Sequence, residues 1–169
     1  MGKKIILKTS ASQIDEFVQR QKTIVIDQKF AQRPKDKRYF EIKCDLLDED
    51  GFTIPHWSFK ICVKPISNDD CQDTYGIYHQ LHGNNESVLR LDVHHKEKVG
   101  HKENGIEFFG AHLHELNTTT SCIEDFEFDC MNCENRSDWL EYFAQLFNIN
   151  IEYKLDDTTD LFGGWECSA

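Results

Sequence analysis

Thr74 to Leu81 (TYGIYHQL), the turn His82-Gly83-Asn84-Asn85, and Ser87 to His95 (SVLRLDVHH) form the stretch whose reading decides the fold. The first arm is rich in aromatic and β-branched residues, the second alternates Leu and Val with polar residues, and glycine and asparagine punctuate the join, so the segment reads as two antiparallel strands in a hairpin. Side chains alternate between the faces of a strand. Leu89, Leu91 and Val93 therefore point one way, into a core, while Arg90, Asp92 and His94 point the other way. A sheet with one apolar and one polar face follows.

Moving outward, Lys96 to Gly105 reads as a charged loop with two glycines, and Ile106 to Leu116 returns as a strand. On that strand Phe109, Ala111 and Leu113 face one side, and His112 and His114 the other. Upstream, Arg38 to Leu47 and His56 to Pro65 form a hairpin across Asp48-Glu49-Asp50-Gly51, and Thr23 to Asp27 is a further strand. Ser10 or Ser12, with Gln13 or Asp15 three residues on, marks a capping box. Ile14, Phe17 and Val18 then give a short amphipathic helix to about Gln21. Residues 117 to 136 read as polar and irregular. Ser137 is expected to cap a helix with Trp139, Leu140, Phe143, Leu146 and Phe147 on one face, and Ile149 to Tyr153 adds an edge strand. The expectation is a single α+β domain over 1–169, with residues 155–169 a frayed tail. Its core is an antiparallel sheet of about five to six strands with an N-terminal and a C-terminal helix, one sheet face covered.

The composition sets wide bounds. At 169 residues, 39% hydrophobic and 12% aromatic, the chain is long enough for a real core. No apolar run approaches the roughly 20 residues of a bilayer span, and Met1 to Lys8 lacks the apolar stretch of a signal peptide. The chain reads as cytoplasmic. Its net charge of −11 is lopsided: residues 1–114 carry 17 basic and 17 acidic side chains, residues 115–169 carry 2 and 13. A basic segment holds Lys29, Arg33, Lys35, Lys37, Arg38 and Lys43. Such asymmetry fits an internal pairing of the two regions, two partner surfaces, or a solvated surface. Seven cysteines cannot all pair within the chain and are expected to stay free thiols, Cys44 and Cys62 as small buried hydrophobes. Cys130 and Cys133 have zinc spacing with Cys122 as the nearby third thiol, but a second Cys-x-x-Cys pair is lacking. Neither a phosphate-binding glycine loop nor a Gly-x-Ser-x-Gly elbow occurs.

Five of the eight histidines, His94, His95, His101, His112 and His114, fall within 21 residues. If the two strands are neighbours, Arg90, Asp92, His94, His112 and His114 line one face, with His101 hanging over it and His95 excluded. Three readings are open. As catalytic residues, two histidines with Arg90 nearby would cleave RNA without metal, with Asp92 orienting a histidine. As metal ligands, His94, His112, His114 and Asp92 supply an N3O set for zinc or another divalent ion. The third reading is a solvated polar face whose charge pairs steady the strands.

Val88-Leu89-Arg90-Leu91-Asp92-Val93, then His101 with Asn104-Gly105, then His112-Leu113-His114 and a Trp-led helix, resembles a family of small uncharacterised bacterial proteins. Those proteins share an Arg-Leu-Asp-Ile strand, a His-containing Asn-Pro-Asp-Gly-like loop, a His-Leu-His strand and a closing helix. More distantly the pattern looks like TumE-type toxins of toxin–antitoxin pairs. The match runs from about Trp57 to Tyr153, and its loop departs: the run after Asp92 is longer, and Gly105 has no proline before it. The resemblance implies a bacterial or phage origin and a toxin–antitoxin or phage-conflict setting, with RNA or a cognate protein (an antitoxin or a defence protein) as partner. A ribonuclease that needs no cofactor is the leading expectation. The alternatives are an acidic, non-enzymatic inhibitor presenting Glu115 to Glu166, and a metal-binding domain.

Overall fold

The computed structural model describes residues 9–65, 71–116, 118–122, 135–154 and Phe162. In chain order these form helix α1 (Ala11–Gln19) and strands β1 (Lys22–Ile26), β2 (Ala31–Gln32), β3 (Phe40–Leu47), β4 (Thr53–Val63), β5 (Gln72–Leu81) and β6 (Asn84–His94). Then follow β7 (Val99–Glu103), β8 (Ile106–Phe109), β9 (His112–Glu115), β10 (Thr118–Ser121), helix α2 (Arg136–Leu146) and β11 (Ile149–Tyr153). The main sheet runs β10-β9-β6-β5-β4-β3-β1-β11, with β2 also paired to β3, and β7 and β8 make a separate two-stranded ribbon. All pairs are antiparallel except β1 with β11. The architecture is α+β as expected, but among the described residues the main sheet holds nine strands rather than five to six.

The extra strands have identifiable causes. Ile106 to Leu116 is two strands, because Gly110 takes φ 60° and turns the chain from one sheet into the other. β8 then pairs with β7, and β9 inserts between β6 and β10. The expected charged loop contains β7, closed onto β8 by Asn104 and Gly105, both at positive φ. That Asn-Gly pair is a strong hairpin signal, obscured in the sequence by the charges around it. The run Thr118-Thr119-Thr120-Ser121, read as irregular, is β10. The central hairpin turns tightly through His82 and Gly83, both at positive φ, with Leu81 opposite Asn84. Its loop is two residues, not four.

Helix α1 has the expected capping box, Ser10 and Gln13 bonding each other's backbone. It ends where buried Lys22 donates from Nζ to the carbonyls of Phe17 (2.6 Å) and Arg20 (2.5 Å). Helix α2 starts two residues before the expected point: Asn135 rather than Ser137 is its N-cap, Arg136 its first residue, and Ser137 lies inside it. Arg136 is drawn to that start by Asp73. Its guanidinium donates to both Asp73 oxygens at 2.7 and 3.0 Å, and to the Lys64 carbonyl at 2.6 Å.

Both helices cover one face of the sheet. Phe17 of α1 stacks on Trp57 at 3.9 Å, and Phe143 of α2 meets Phe59 at 5.8 Å. Ile24, Ile61, Tyr75, Ile77, Leu89 and Leu91 fill the layer between. Burying each such side chain contributes about 1.5–3 kcal/mol. The same strands turn Thr74, Arg90 and Asp92 to the opposite face, where β7 and β8 lie. Cys44, Cys62 and Cys122 are buried thiols outside any disulfide, whereas Cys71 is disulfide-bonded, which corrects the free-thiol expectation at that residue. Cys130, Cys133 and the tail 155–169 lie outside the described residues, apart from Phe162, whose ring is 5.6 Å from Phe30. Among the described residues no helix is long and apolar enough to cross a membrane.

Candidate metal centre

Register builds the site. Across the sheet, Thr74 stands opposite Asp92, Asp92 opposite His112, and His112 opposite Ser121. One step along, Arg90 stands opposite His114, and His114 opposite Thr119. Because same-face neighbours on paired strands lie about 5 Å apart, Asp92 is ringed by Thr74, Arg90, His112 and His114.

The Asp92 carboxylate is held firmly. Oδ1 accepts the Thr74 hydroxyl at 2.9 Å, and Oδ2 accepts Arg90 Nε at 2.9 Å. His114 Nε2 and His112 Nε2 face the same Oδ2 at 3.2 and 3.8 Å. Burial pushes this carboxyl up, but contact with His114, the Arg90 charge and the Thr74 hydroxyl outweigh it and hold the group below its ordinary value.

The partners of the other ring nitrogens orient both rings. His112 Nδ1 lies 3.2 Å from the Gly110 carbonyl, which can only accept, so Nδ1 carries the proton. Burial lowers the His112 pKa to about 4, although Asp92 pulls it up, so the ring is neutral and Nε2 is a bare lone pair. The Thr119 hydroxyl donates to Glu103 Oε2 at 2.6 Å, leaving its oxygen to accept from His114 Nδ1 at 3.1 Å. The same hydroxyl holds the Glu103 carboxyl below its usual range. His112 Nε2 is buried with no hydrogen bond within the protein, and His114 Nε2, also buried, faces Asp92 Oδ2. Two imidazole Nε2 atoms and a carboxylate oxygen thus converge, all three ligand atoms within 4.8 Å of one another. A bare imidazole nitrogen packed beside a carboxylate is costly unless a proton or a cation lies between them.

Such a set suits a divalent ion. Neutral imidazoles whose far N–H groups are fixed by a carbonyl or a hydroxyl–carboxylate relay are how proteins orient metal-bound histidines. Two nitrogens and one oxygen fit zinc, with coordination positions left open.

The chain matches no family model, no curated protein and no solved structure. The roles of these residues therefore rest on geometry.

Of the residues expected at the site, Arg90, Asp92, His112 and His114 come together as strand parity implied. His94 is on the same face but outside the converging trio; its ring lies parallel to that of His112 at 5.7 Å. His101, on β7, sits 5.0 Å from His114 and 5.8 Å from His112, so it does overhang the face. The ribbon approaches closely because position 100 is glycine: a Cβ there would fall 2.3 Å from His94 Cδ2 and 2.9 Å from His112 Cε1. Sequence reasoning missed Gly100, Glu103, Gly110 and Thr119. Thr74 was within reach of it, since parity places Thr74 and Asp92 on one face of the hairpin.

Proposed function

We propose that the chain binds a divalent metal ion, zinc foremost, through Asp92 Oδ2, His112 Nε2 and His114 Nε2, and uses it to hydrolyse RNA in a toxin–antitoxin or phage-conflict setting. The observation that carries the reading is the convergence of two imidazole Nε2 atoms on one carboxylate oxygen, each ring held by its far nitrogen. A metal-independent scheme needs histidines that reach the phosphate, and the His112 side chain is only 1% exposed. The ion would polarise a phosphoryl oxygen and lower the pKa of a bound water. The water oxygen bonds to phosphorus, the ester P–O bond breaks, and the water's proton ends on the departing oxygen. Arg90, half-exposed beside Asp92, faces the charge that builds on phosphorus.

Calorimetric titration of metal-stripped protein with zinc, and with manganese, tests the centre. One equivalent should bind, and His112→Ala with His114→Ala should weaken it about 100-fold or more. Failure of the unaltered chain to bind either ion would overturn the metal centre. For the activity, cleavage of single-stranded RNA should stop on adding EDTA, and full cleavage by the double-alanine variant would sink it.

A further inference from the structure

Beside Asp92 the polar face carries a pocket of about 270 Å³ that shares Thr74, Arg90 and Asp92 with the metal centre. Ligand sites run from roughly 300 Å³ upward, so this one suits a small group rather than a large cofactor. Its charged lining comes from separate parts of the fold: Arg33 just beyond β2, Lys60 on β4 and Arg90 on β6. Register explains the gathering, since Lys60 stands opposite Gly76, and Gly76 opposite Arg90. Gly76 also makes room for the Tyr78 ring, which a Cβ there would meet at 2.9 Å. Arg33 belongs to the basic segment of the sequence, here turned inward to a cavity.

The three cations are incompletely matched. Arg33 Nε and Lys60 Nζ share Glu41 Oε2, at 3.3 and 3.6 Å, and neither completes a hydrogen bond to that buried oxygen. Arg90 is matched by Asp92, the carboxylate a metal ion would engage. A guanidinium offers five donors and an ammonium three; Arg33 gives one to Cys62 Sγ at 3.8 Å and Arg90 turns Nε and Nη2 to Asp92 Oδ2, so donors of these pocket-lining side chains remain for a ligand. A planar carboxylate needs one arginine fork. Donors converging from two strands and the loop after β2 suit a tetrahedral oxyanion that accepts in several directions.

We infer that this pocket is the phosphate subsite of the site, with Arg33, Lys60 and Arg90 seating the phosphoryl group of a nucleotide or an RNA strand next to Asp92. Its place beside an ion rests on the metal reading; phosphate binding itself does not require the ion.

The test titrates the full chain, stripped of metal and separately zinc-loaded, with inorganic phosphate and with a short single-stranded RNA, followed by NMR shifts. Saturable phosphate binding is expected, and Arg33→Gln with Lys60→Gln should weaken it about tenfold or more while zinc affinity stays the same. Both side chains are partly exposed, and unchanged thermal melting of the variant, or of Lys60→Glu alone, keeps the comparison valid. RNA bound much more tightly than phosphate, with a steep salt dependence, assigns a strand as the source. Equal affinities assign a free phosphate or monoester. Phosphate binding without zinc binding leaves the subsite standing and removes the metal centre. Zinc binding with no phosphate or RNA binding overturns the subsite alone, as does binding that the substitutions leave unchanged.

Discussion

Asp73 and Asp92 sit on adjacent strands of one hairpin, on opposite faces of the sheet, and both are buried. Asp73 is closed: both oxygens take the fork of Arg136, whose remaining reach goes to a carbonyl. Asp92 is open: after Thr74 and Arg90 are bonded, two imidazole nitrogens still point at it. Burial of a charge is common to both. What separates a structural ion pair from a candidate site is unfilled acceptor capacity converging on one point. The covered face solves its polar problem with its own residues, and the polar face leaves room for a cation.

The comparison breaks first at Arg136. Arg136→Met strands the Asp73 carboxylate under α2 and should cost roughly 3–5 kcal/mol, a fall in Tm on the order of 10 °C for a chain of this size, with zinc binding unaffected. An unchanged Tm would mean that Asp73 is not a structural counterpart at all. Next in size is ligand stabilisation. Zinc at 100 times its Kd should add about 2.7 kcal/mol to the unaltered chain, and nothing to the chain carrying His112→Ala and His114→Ala. Melting curves with and without zinc check this.

Thr119→Val sharpens the contrast more gently. It removes the hydroxyl between Glu103 and His114 and should weaken zinc about tenfold, toward the low end for such supporting partners; a chain that binds zinc as before would show that the relay does not orient His114. The smallest effect concerns thiols on the two faces. Burial, with Asp27 and Asp45 adding, pushes Cys44 up to about 12, and burial also raises Cys62 against the pull of Arg33. A raised pKa leaves little reactive thiolate at pH 8, so both should alkylate slowly. Cys62, which lines the pocket, should react faster than Cys44 and be protected by phosphate; equal rates would mean the faces do not differ in access.

The sheet, its apolar face and the grouping of Arg90, Asp92, His112 and His114 were legible because a period of two is written residue by residue. Helix α1 was legible for the same local reason, a capping box followed by Ile14, Phe17 and Val18. What escaped was non-local. The β7–β8 ribbon hid among charges, β10 hid among threonines, and no local pattern joined Arg33 to Lys60 and Arg90. The start of α2 followed Asp73, 63 residues away, rather than Ser137.

By itself, then, the sequence determined which side chains share a face, since alternation needs only the strand assignment. Tertiary structure decided which of them meet, because pairing β6 with β9 and β9 with β10 sets distances that no local pattern encodes. It also decided how the rings are turned, since Gly110 and Thr119 hold the far nitrogens and leave both Nε2 atoms aimed at Asp92.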